Sequence, residues 1–288
     1  MRNFHVLFDD GEASAIEDAA YAPYGKLGFP ASPADRPWIY SNFVQSLDGI
    51  ASFKGRHPTG ADISQSTEDR WLTDLLRAHA GGILLGINTL IEETRTVGNR
   101  GPLYKIEDRA LRELRHKLNR KRPKNIFVTG ASRLDLSAFR VFDGDEVDAI
   151  IITTTTGAAR LTERKPHSHI KVIVAGTGEL VDLHQAVRVL YKDFGIRHLL
   201  CEGGPTLYGY MSRAGLIDEK FMTVSPVEIG LFVPAEQELS EAEKNDPPKQ
   251  RPTTFMAPGF VKEDAPWWRW MSCRRIDAHQ FNRYRRLS

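Results

Sequence analysis

The feature that most constrains the fold of this chain is an apolar run that breaks at two glycines and restarts as a helix. Residues 196–201 predict a buried strand, and residues 206–214 carry apolar side chains at helical spacing. Between them, Gly203 and Gly204 allow a close backbone approach, and Pro205 suits a first helical turn. Free N–H groups at such a helix start attract anions. The turn therefore indicates either a phosphate-binding site or a tight connection that binds nothing.

Short apolar runs alternate with helical patterns along most of the chain. Strands are predicted over residues 38–47, 83–85, 125–129, 149–153, 170–175, 196–201 and 221–225. Helices are predicted over residues 67–80, 106–118, 183–194 and 206–214. This alternation predicts a three-layer α/β fold with a mostly parallel central sheet. Aromatic runs at 268–276 and 281–284 predict antiparallel C-terminal edge strands.

Two loop regions carry local predictions. The dipeptide Asp48-Gly49 lies between two β-rich runs, 38–47 and 50–53, and predicts a two-residue hairpin. Residues 89–93 predict a short turn or helix.

The chain divides into an extension and one main domain. Residues 1–36 mix glycine, proline and acidic residues, with one strand-like run at 4–8, and predict an extension that lies over the rest. Residues 37–288 form the predicted domain. Within it, the polar segment 236–252 contains a proline pair and predicts an exposed loop or insertion.

Composition excludes several classes of protein. With 41% hydrophobic residues, 26% charged residues and a net charge of +2, the chain is typical of globular proteins and not of disordered or fibrous ones. Its apolar runs are too short to span a bilayer and its first residues lack a leader pattern, so a cytoplasmic location is expected. Cys201 and Cys273 lack the spacing of a zinc site or a disulfide framework and are expected to be buried thiols.

Several short motifs, in a regular order, resemble the reductase domain of riboflavin biosynthesis. They are Asn42 to Gly49 (NFVQSLDG), Leu76 to Ala78 (LRA), Gly86 to Thr89 (GINT), Glu202 to Leu207 (EGGPTL), Asp218-Glu219 and Ser225 to Val227 (SPV). The family comprises the C-terminal half of a bifunctional deaminase–reductase and its stand-alone relatives, and the resemblance covers about residues 37–230. It implies a dihydrofolate-reductase-like fold, a homodimer, and an NADPH-dependent reduction of a ribosylaminopyrimidine 5′-phosphate to its ribitylamino form. No metal is implied.

The resemblance also implies which residues form the nucleotide site. Thr89 and Glu93 match cofactor-contacting positions, and Thr129, Gly130 and Arg133 match the region that holds the adenosine end. Ser132 and Arg133 would meet the 2′-phosphate of NADPH. The pyrophosphate cradle would consist of Gly203, Gly204, Pro205, Thr206 and Leu207.

The same resemblance implies a substrate site. Ser46, Arg77 and Glu202 match substrate-contacting positions, and Asp48 and Glu202 are the predicted catalytic residues. Plainer alternatives are a turn-forming Asp48, a surface ion pair for Arg77 and a helix cap for Thr89. The agreement of several motifs in register favours the functional roles of Thr89, Glu202 and the glycine turn.

The chain departs from the family in the loop after Thr89. The usual Asp-Asp-Pro is missing, although Glu92 and Glu93 retain acidic side chains. The rival candidates for binding the substrate phosphate are Arg95, Arg100 and Lys105, and Asn42 stands where many relatives have lysine. The substrate half of the site is therefore less well matched than the nucleotide half. The uracil and diaminopyrimidinone forms of the substrate both stay open, as does a dihydropterin or dihydrofolate-like heterocycle.

A basic stretch raises nucleic-acid binding as an alternative function. Residues 112–124 are rich in arginine and lysine, and residues 283–286 add three more arginines. Acidic residues elsewhere nearly cancel these charges, so a solvated helix face or an adenosine-phosphate site is the more economical interpretation. We therefore expect a small phosphorylated substrate as the partner, without nucleic acid or membrane. The chain also lacks the zinc deaminase signature.

Overall fold

Strands and helices alternate through the central part of the chain, as the hydrophobic pattern predicts. The computed structural model describes residues 1–51, 60–130, 134–162, 168–230, 253–255 and 262–287. The strands are β1 (His5–Asp9), β2 (Trp38–Gln45), β3 (Gly82–Gly86), β4 (Lys124–Val128), β5 (Ala149–Thr153), β6 (Lys171–Val174), β7 (His198–Gly203), β8 (Glu219–Val224), β9 (Trp268–Ile276) and β10 (His279–Arg286). The helices are α1 (Gly60–Ser64), α2 (Thr67–His79), α3 (Ile87–Val97), α4 (Arg109–Lys117), α5 (Thr155–Thr162), α6 (Leu183–Lys192) and α7 (Pro205–Arg213).

All ten strands of the described residues belong to one sheet, in the order β1-β9-β10-β8-β2-β7-β3-β4-β5-β6. The strands from β8 to β6 in that order pair in parallel. The C-terminal β9 and β10 are antiparallel to their neighbours, and β1 pairs with β9 at the edge. The predicted mostly parallel sheet with antiparallel C-terminal strands is confirmed.

The sheet separates two layers of helices. Leu199 and Leu200 are successive residues of β7, so their side chains point to opposite faces. Leu200 packs in a cluster with residues of α2 and α4, whereas Leu199 packs with residues of α6 and α7. A third cluster joins β3, β4 and β5 to α3 and α5. These packed faces account for the predicted three layers.

The N-terminal segment contributes to the sheet and to the core. Phe4, Tyr21, Tyr24 and Leu27 are buried in the same cluster as α2. The guanidinium of Arg274 lies 3.8 Å from the centre of the Tyr24 ring, which fixes this segment against β9. The division of the chain at residue 37 stays a prediction, and the predicted loop at 236–252 lies outside the described residues.

The predicted hairpin at Asp48-Gly49 is wrong. β2 ends at Gln45, and the following turn closes through the Ser46 N–H, which donates to the Ile50 carbonyl at 2.9 Å. Residues 52 and 53 of the predicted second strand lie outside the described residues, and Ile50 pairs with Thr253 in an isolated antiparallel bridge rather than with β2. A second difference is the length of α3, which extends well beyond the short element predicted at 89–93.

Two remaining findings concern membranes and thiols. Within the described residues, no helix combines the length and apolar character needed to cross a bilayer. Cys201 and Cys273 are both buried free thiols, as predicted, and burial raises the pKa of Cys201 to about 12.

Candidate active site

A large cleft opens at the carboxyl ends of the central parallel strands. Its volume is about 1400 Å³, and β2, β3, β4 and β7 each contribute lining residues at their C-terminal ends. The helices α2, α3 and α7 form the walls. Open α/β sheets bind ligands outside the carboxyl ends of their strands. The cleft is therefore the candidate site.

The glycine turn between β7 and α7 forms one side of this cleft. Gly203 has φ +101°, a left-handed conformation that favours glycine, and a Cβ there would lie 3.1 Å from the Phe43 ring. A Cβ on Gly204 would lie 2.8 Å from the Thr89 hydroxyl oxygen. Gly204 is the N-cap of α7 and supplies no side chain, while Pro205 occupies the first turn. These close approaches bring the start of α7 next to the start of α3, and Gly204 lines the cleft while Gly203 is buried behind it.

Residues from Gly204 to Leu207 line the cleft, and Thr89 lines it from the opposite helix. Thr89 lies in the first turn of α3, whose N-cap is Gly86 and has no side-chain cap. The plainer interpretation of Thr89 as the capping residue is therefore wrong. Two helix starts, those of α3 and α7, meet at this end of the cleft, and helix starts attract anions.

The adenosine end predicted at Thr129 and Gly130 is also part of the cleft lining, beside Glu179 and Leu180. Thr129 is buried, and its hydroxyl has no hydrogen-bond partner within the part of the chain that the structure describes. A buried hydroxyl without a hydrogen-bond partner is uncommon in proteins, and a bound ligand would supply such a partner. Arg133, predicted for the 2′-phosphate, lies outside the described residues.

Arg77 and Glu202 form a bidentate ion pair inside the cleft. The Arg77 Nε and Nη2 atoms donate to the two Glu202 carboxylate oxygens at 2.7 and 2.6 Å, and their side chains are only 14% and 9% exposed. Arg77 also donates to the Lys105 carbonyl at 2.9 Å. Burial lowers the pKa of Arg77, but the Glu202 carboxylate outweighs it, so the pKa is raised overall. The pair is a mostly covered contact within the cleft rather than a surface ion pair.

A second acidic group, Glu93, lies in the same cleft and is held by a tyrosine. The Tyr104 hydroxyl donates to the Glu93 carboxylate at 2.7 Å. Burial raises the pKa of Glu93, the hydrogen bond from Tyr104 lowers it, and the nearby Glu202 carboxylate raises it further. The net shift is upward. Glu93 is therefore suited to hold a proton at higher pH than an ordinary glutamate.

Ser46 and Asp48 lie outside the residues that line the cleft. The Ser46 hydroxyl donates to Asp48 at 2.5 Å, and Asp48 also accepts from the backbone N–H groups of Ile229 and Gly230 at 3.2 and 2.6 Å. The Ser46 hydroxyl is the main reason why the pKa of Asp48 is lowered. In this conformation Asp48 ties two loops together, and its catalytic role stays a prediction.

The three basic residues that were candidates for binding the substrate phosphate do not line the cleft. Arg95 pairs with Glu92 at 3.0 Å, Arg100 with Asp143 at 2.8 Å and Lys105 with Glu146 at 2.9 Å. Each of them is already neutralised by a neighbouring carboxylate. The loop that departs from the family therefore supplies no lining cation among these three.

Sequence reasoning missed the polar stripe of α2. Asp69, Arg70 and Thr73 line the cleft, whereas the neighbouring Trp71 and Leu72 are buried in the core. Arg70 is exposed and forms no ion pair with any described residue. The signal was present, because polar residues alternate with apolar pairs at helical spacing along this helix.

Comparison with known proteins identifies the family. The model of the RibD C-terminal domain matches residues 37–245. The chain belongs to the RibD C-terminal domain family. The chain is 26% identical over 196 residues to the 2,5-diamino-6-ribosylamino-4(3H)-pyrimidinone 5′-phosphate reductase of Archaeoglobus fulgidus, covering 68% of this chain and 83% of that protein. It is 28% identical over 196 residues to the protein of the same name from Methanothermobacter thermautotrophicus, covering 68% and 80%.

Solved structures agree on the fold. A pyrimidine reductase-like protein of Corynebacterium diphtheriae superposes with a TM-score of 0.66 at 21% identity, covering 93% of this chain and 98% of that chain. RibD of Acinetobacter baumannii gives a TM-score of 0.63 at 18% identity and covers 88% of this chain. The match spans only 59% of that longer RibD chain. These structural similarities show that the chain has the same fold as these proteins.

Proposed function

We propose that this protein uses NADPH to reduce a ribosylaminopyrimidine 5′-phosphate to its ribitylamino form. The observation that carries the proposal is the glycine turn at the start of α7, where Gly204 to Leu207 line a cleft of about 1400 Å³ beside Thr89 at the start of α3. The names of the two archaeal relatives support the same substrate class. Cytoplasmic location and a homodimer belong to this proposal as predictions.

The nucleotide would occupy the end of the cleft formed by the starts of α3 and α7. The residues fit it, because Gly204 lets the starts of α7 and α3 lie side by side at the cleft and because the buried Thr129 hydroxyl lacks a partner within the described residues. The turn after Gly204 would hold the pyrophosphate, and Thr129 with Gly130 would hold the adenosine end. When bound, NADPH supplies the hydride.

The substrate would occupy the other end, between α2 and β7. The fixed Arg77–Glu202 pair offers donors and acceptors for the sugar hydroxyls and would orient the sugar carbon that is reduced. Arg70, exposed at the rim of the cleft, would meet the phosphate, whose charge can then stay partly hydrated.

Opening of the sugar ring requires a proton on the departing ring oxygen. Glu93 lines the cleft and has an upward-shifted pKa, caused first by burial, so it can hold this proton at higher pH than an ordinary carboxyl group. The hydrogen bond from the Tyr104 hydroxyl keeps the Glu93 carboxyl group in one orientation. Glu93 thus has a role in the chemistry beside its predicted contact with the cofactor.

The basic stretch around α4 is largely engaged within the protein. Arg115 is buried and donates to the carbonyls of Ala78 and Ala80 at 2.9 and 2.6 Å, and Lys117 pairs with Asp18 at 2.5 Å. This use of the charges supports a small-molecule enzyme over a nucleic-acid-binding protein.

Ligand-dependent stability and turnover test the proposal together. NADPH at 100 times its dissociation constant should stabilise the protein by about 2.7 kcal/mol. NADPH oxidation should then require a ribosylaminopyrimidine phosphate and should not occur with dihydrofolate. A protein that neither NADPH nor NADH stabilises would contradict the reductase proposal, and salt-sensitive retention on nucleic acid would favour the alternative.

A further inference from the structure

Asp69 is an acidic residue of the cleft that is held by hydroxyl groups rather than by a cation. Asp69 lies in the first turn of α2 and lines the cleft while most of its surface is covered. The Thr223 hydroxyl, on β8, donates to its Oδ1 atom at 2.5 Å. The helix cap fixes its backbone, because the Asp69 N–H donates to the Ser66 hydroxyl at 3.2 Å. Asp69 is therefore held in place from two sides.

No arginine or lysine of the described residues forms an ion pair with Asp69. By contrast, Glu202 pairs with Arg77 and Glu92 pairs with Arg95. Burial raises the pKa of Asp69, while the Thr223 and Ser64 hydroxyls and the more distant His279 lower it. These two hydroxyl groups occupy only part of the roughly four acceptor sites of a carboxylate, so donors of a ligand in the cleft can bind to Asp69 as well.

A second acceptor lines the same region. The Asn42 side chain, on β2, donates from Nδ2 to the Thr73 hydroxyl at 3.0 Å. Its Oδ1 atom is buried and has no hydrogen-bond partner in the described part of the chain. Asn42, Asp69 and Thr73 all line the cleft. This region therefore offers hydrogen-bond acceptors, which are complementary to a ligand that presents N–H donors.

The two possible substrate rings differ in what they present. The 2-amino-4-pyrimidinone ring has adjacent donors, its N3–H and its 2-amino group, which match the two oxygens of a carboxylate. The uracil ring has a carbonyl in place of the 2-amino group, and a carbonyl oxygen facing a carboxylate is repelled. An unmatched polar contact of this kind allows strong discrimination between related substrates.

We propose that Asp69 binds the 2-amino edge of the pyrimidinone ring and makes this enzyme selective for the diaminopyrimidinone substrate over the uracil form. The inference rests on the proposed function and names the substrate within that class. The position of Arg70 agrees with it, because the ring would lie inside beside the covered Asp69 while the phosphate would stay at the rim beside the exposed Arg70.

The test compares both ribosylaminopyrimidine phosphates in binding and in turnover. Dissociation constants are measured by calorimetry and kcat/KM by NADPH oxidation, for the natural protein, Asp69→Asn and the control Asp62→Asn. Asp62 lies seven positions away on the exposed surface of α1 and outside the cleft lining, so the control makes the same chemical change without touching the site.

The natural protein should bind and reduce the diaminopyrimidinone at least about tenfold better than the uracil compound, since each tenfold corresponds to about 1.4 kcal/mol. In Asp69→Asn this preference should vanish or reverse, because an amide can donate to the uracil carbonyl, while Asp62→Asn should keep it. Equal binding of both compounds by the natural protein, or an equal loss for both in Asp69→Asn, would overturn the inference. A clear binding preference without any NADPH oxidation would instead refute the proposed reductase function.

Discussion

The two halves of the cleft are built from different materials. The nucleotide half consists of backbone and small residues at two helix starts, as the contact between Gly204 and Thr89 illustrates. The substrate half consists of charged and aromatic side chains from separate parts of the chain, such as Arg77, Glu202 and Tyr104. The backbone geometry of a turn depends on residues that are contiguous in sequence. The availability of a charged side chain for a ligand depends instead on the partners it meets in the folded chain. The first half is therefore open to prediction from local motifs, and the second is not.

The largest effect should follow from filling the turn of the nucleotide half. In Gly204→Val the added side chain collides with the Thr89 hydroxyl, which a Cβ alone would approach to 2.8 Å. We expect the dissociation constant of NADPH, measured by fluorescence titration, to rise at least about 100-fold, or about 2.7 kcal/mol. Gly178→Val is the control, because Gly178 is exposed and a Cβ there meets nothing within 4 Å. Equal NADPH affinity in both variants would contradict the assignment of the cradle.

A smaller effect, confined to the substrate half, should follow from Glu202→Gln. The amide keeps the shape but removes the charge that Arg77 binds at 2.6 and 2.7 Å, so the sugar is no longer oriented. We expect kcat to fall about 100-fold, which is at the lower end of the effect of removing a catalytic electrostatic contact. NADPH affinity should stay within about threefold, since the altered group lies outside the nucleotide end.

Glu113→Gln is the matched control for that variant. Glu113 forms an exposed i,i+4 pair with Arg109 on α4, and such pairs contribute little. If Glu202→Gln lost NADPH affinity in parallel with kcat, the division of the cleft into two halves would be wrong at this residue.

The fold was largely predictable from sequence. The alternation of apolar strands and helices gave the parallel sheet, because burial on both faces produces short continuous apolar runs. The hairpin at Asp48-Gly49 failed because turn propensity is local, while Leu47 and Ile50 pair with the distant residues Val227 and Thr253. The motifs that contain Thr89 and Glu202 lie far apart in the chain, and the structure brings both residues to one cleft.

The parts of the site that sequence reasoning missed depend on partners far apart in the chain. Arg95, Arg100 and Lys105 are as basic as Arg70, and only the structure shows that Glu92, Asp143 and Glu146 neutralise them. Likewise, Tyr104 became significant only through its contact with Glu93.

A further, weaker effect should appear at the rim of the substrate half. In Arg70→Gln an exposed cation is removed, and an exposed contact with phosphate in high dielectric is worth on the order of 1 kcal/mol. We expect KM for the phosphorylated substrate to rise about fivefold at low salt and less at high salt, where such contacts are screened. The KM of the same substrate without its phosphate should not change. Arg109→Gln, a change of an exposed residue on α4, should leave both values unaltered.

The smallest effect should come from Tyr104→Phe, and it should appear mainly in the pH profile. The Tyr104 hydroxyl donates to Glu93 and lowers its pKa, so its removal raises that pKa further. If protonated Glu93 supplies the proton for ring opening, kcat/KM falls as pH rises through the pKa of Glu93, and this fall should move to higher pH in the variant. Turnover at the optimum should drop only several-fold, as expected for one neutral hydrogen bond. Tyr191→Phe serves as the control, because the Tyr191 ring stacks on the guanidinium of the exposed Arg197, away from the cleft lining. A fall that stays in place, or that moves to lower pH, would show that Glu93 does not hold the reacting proton.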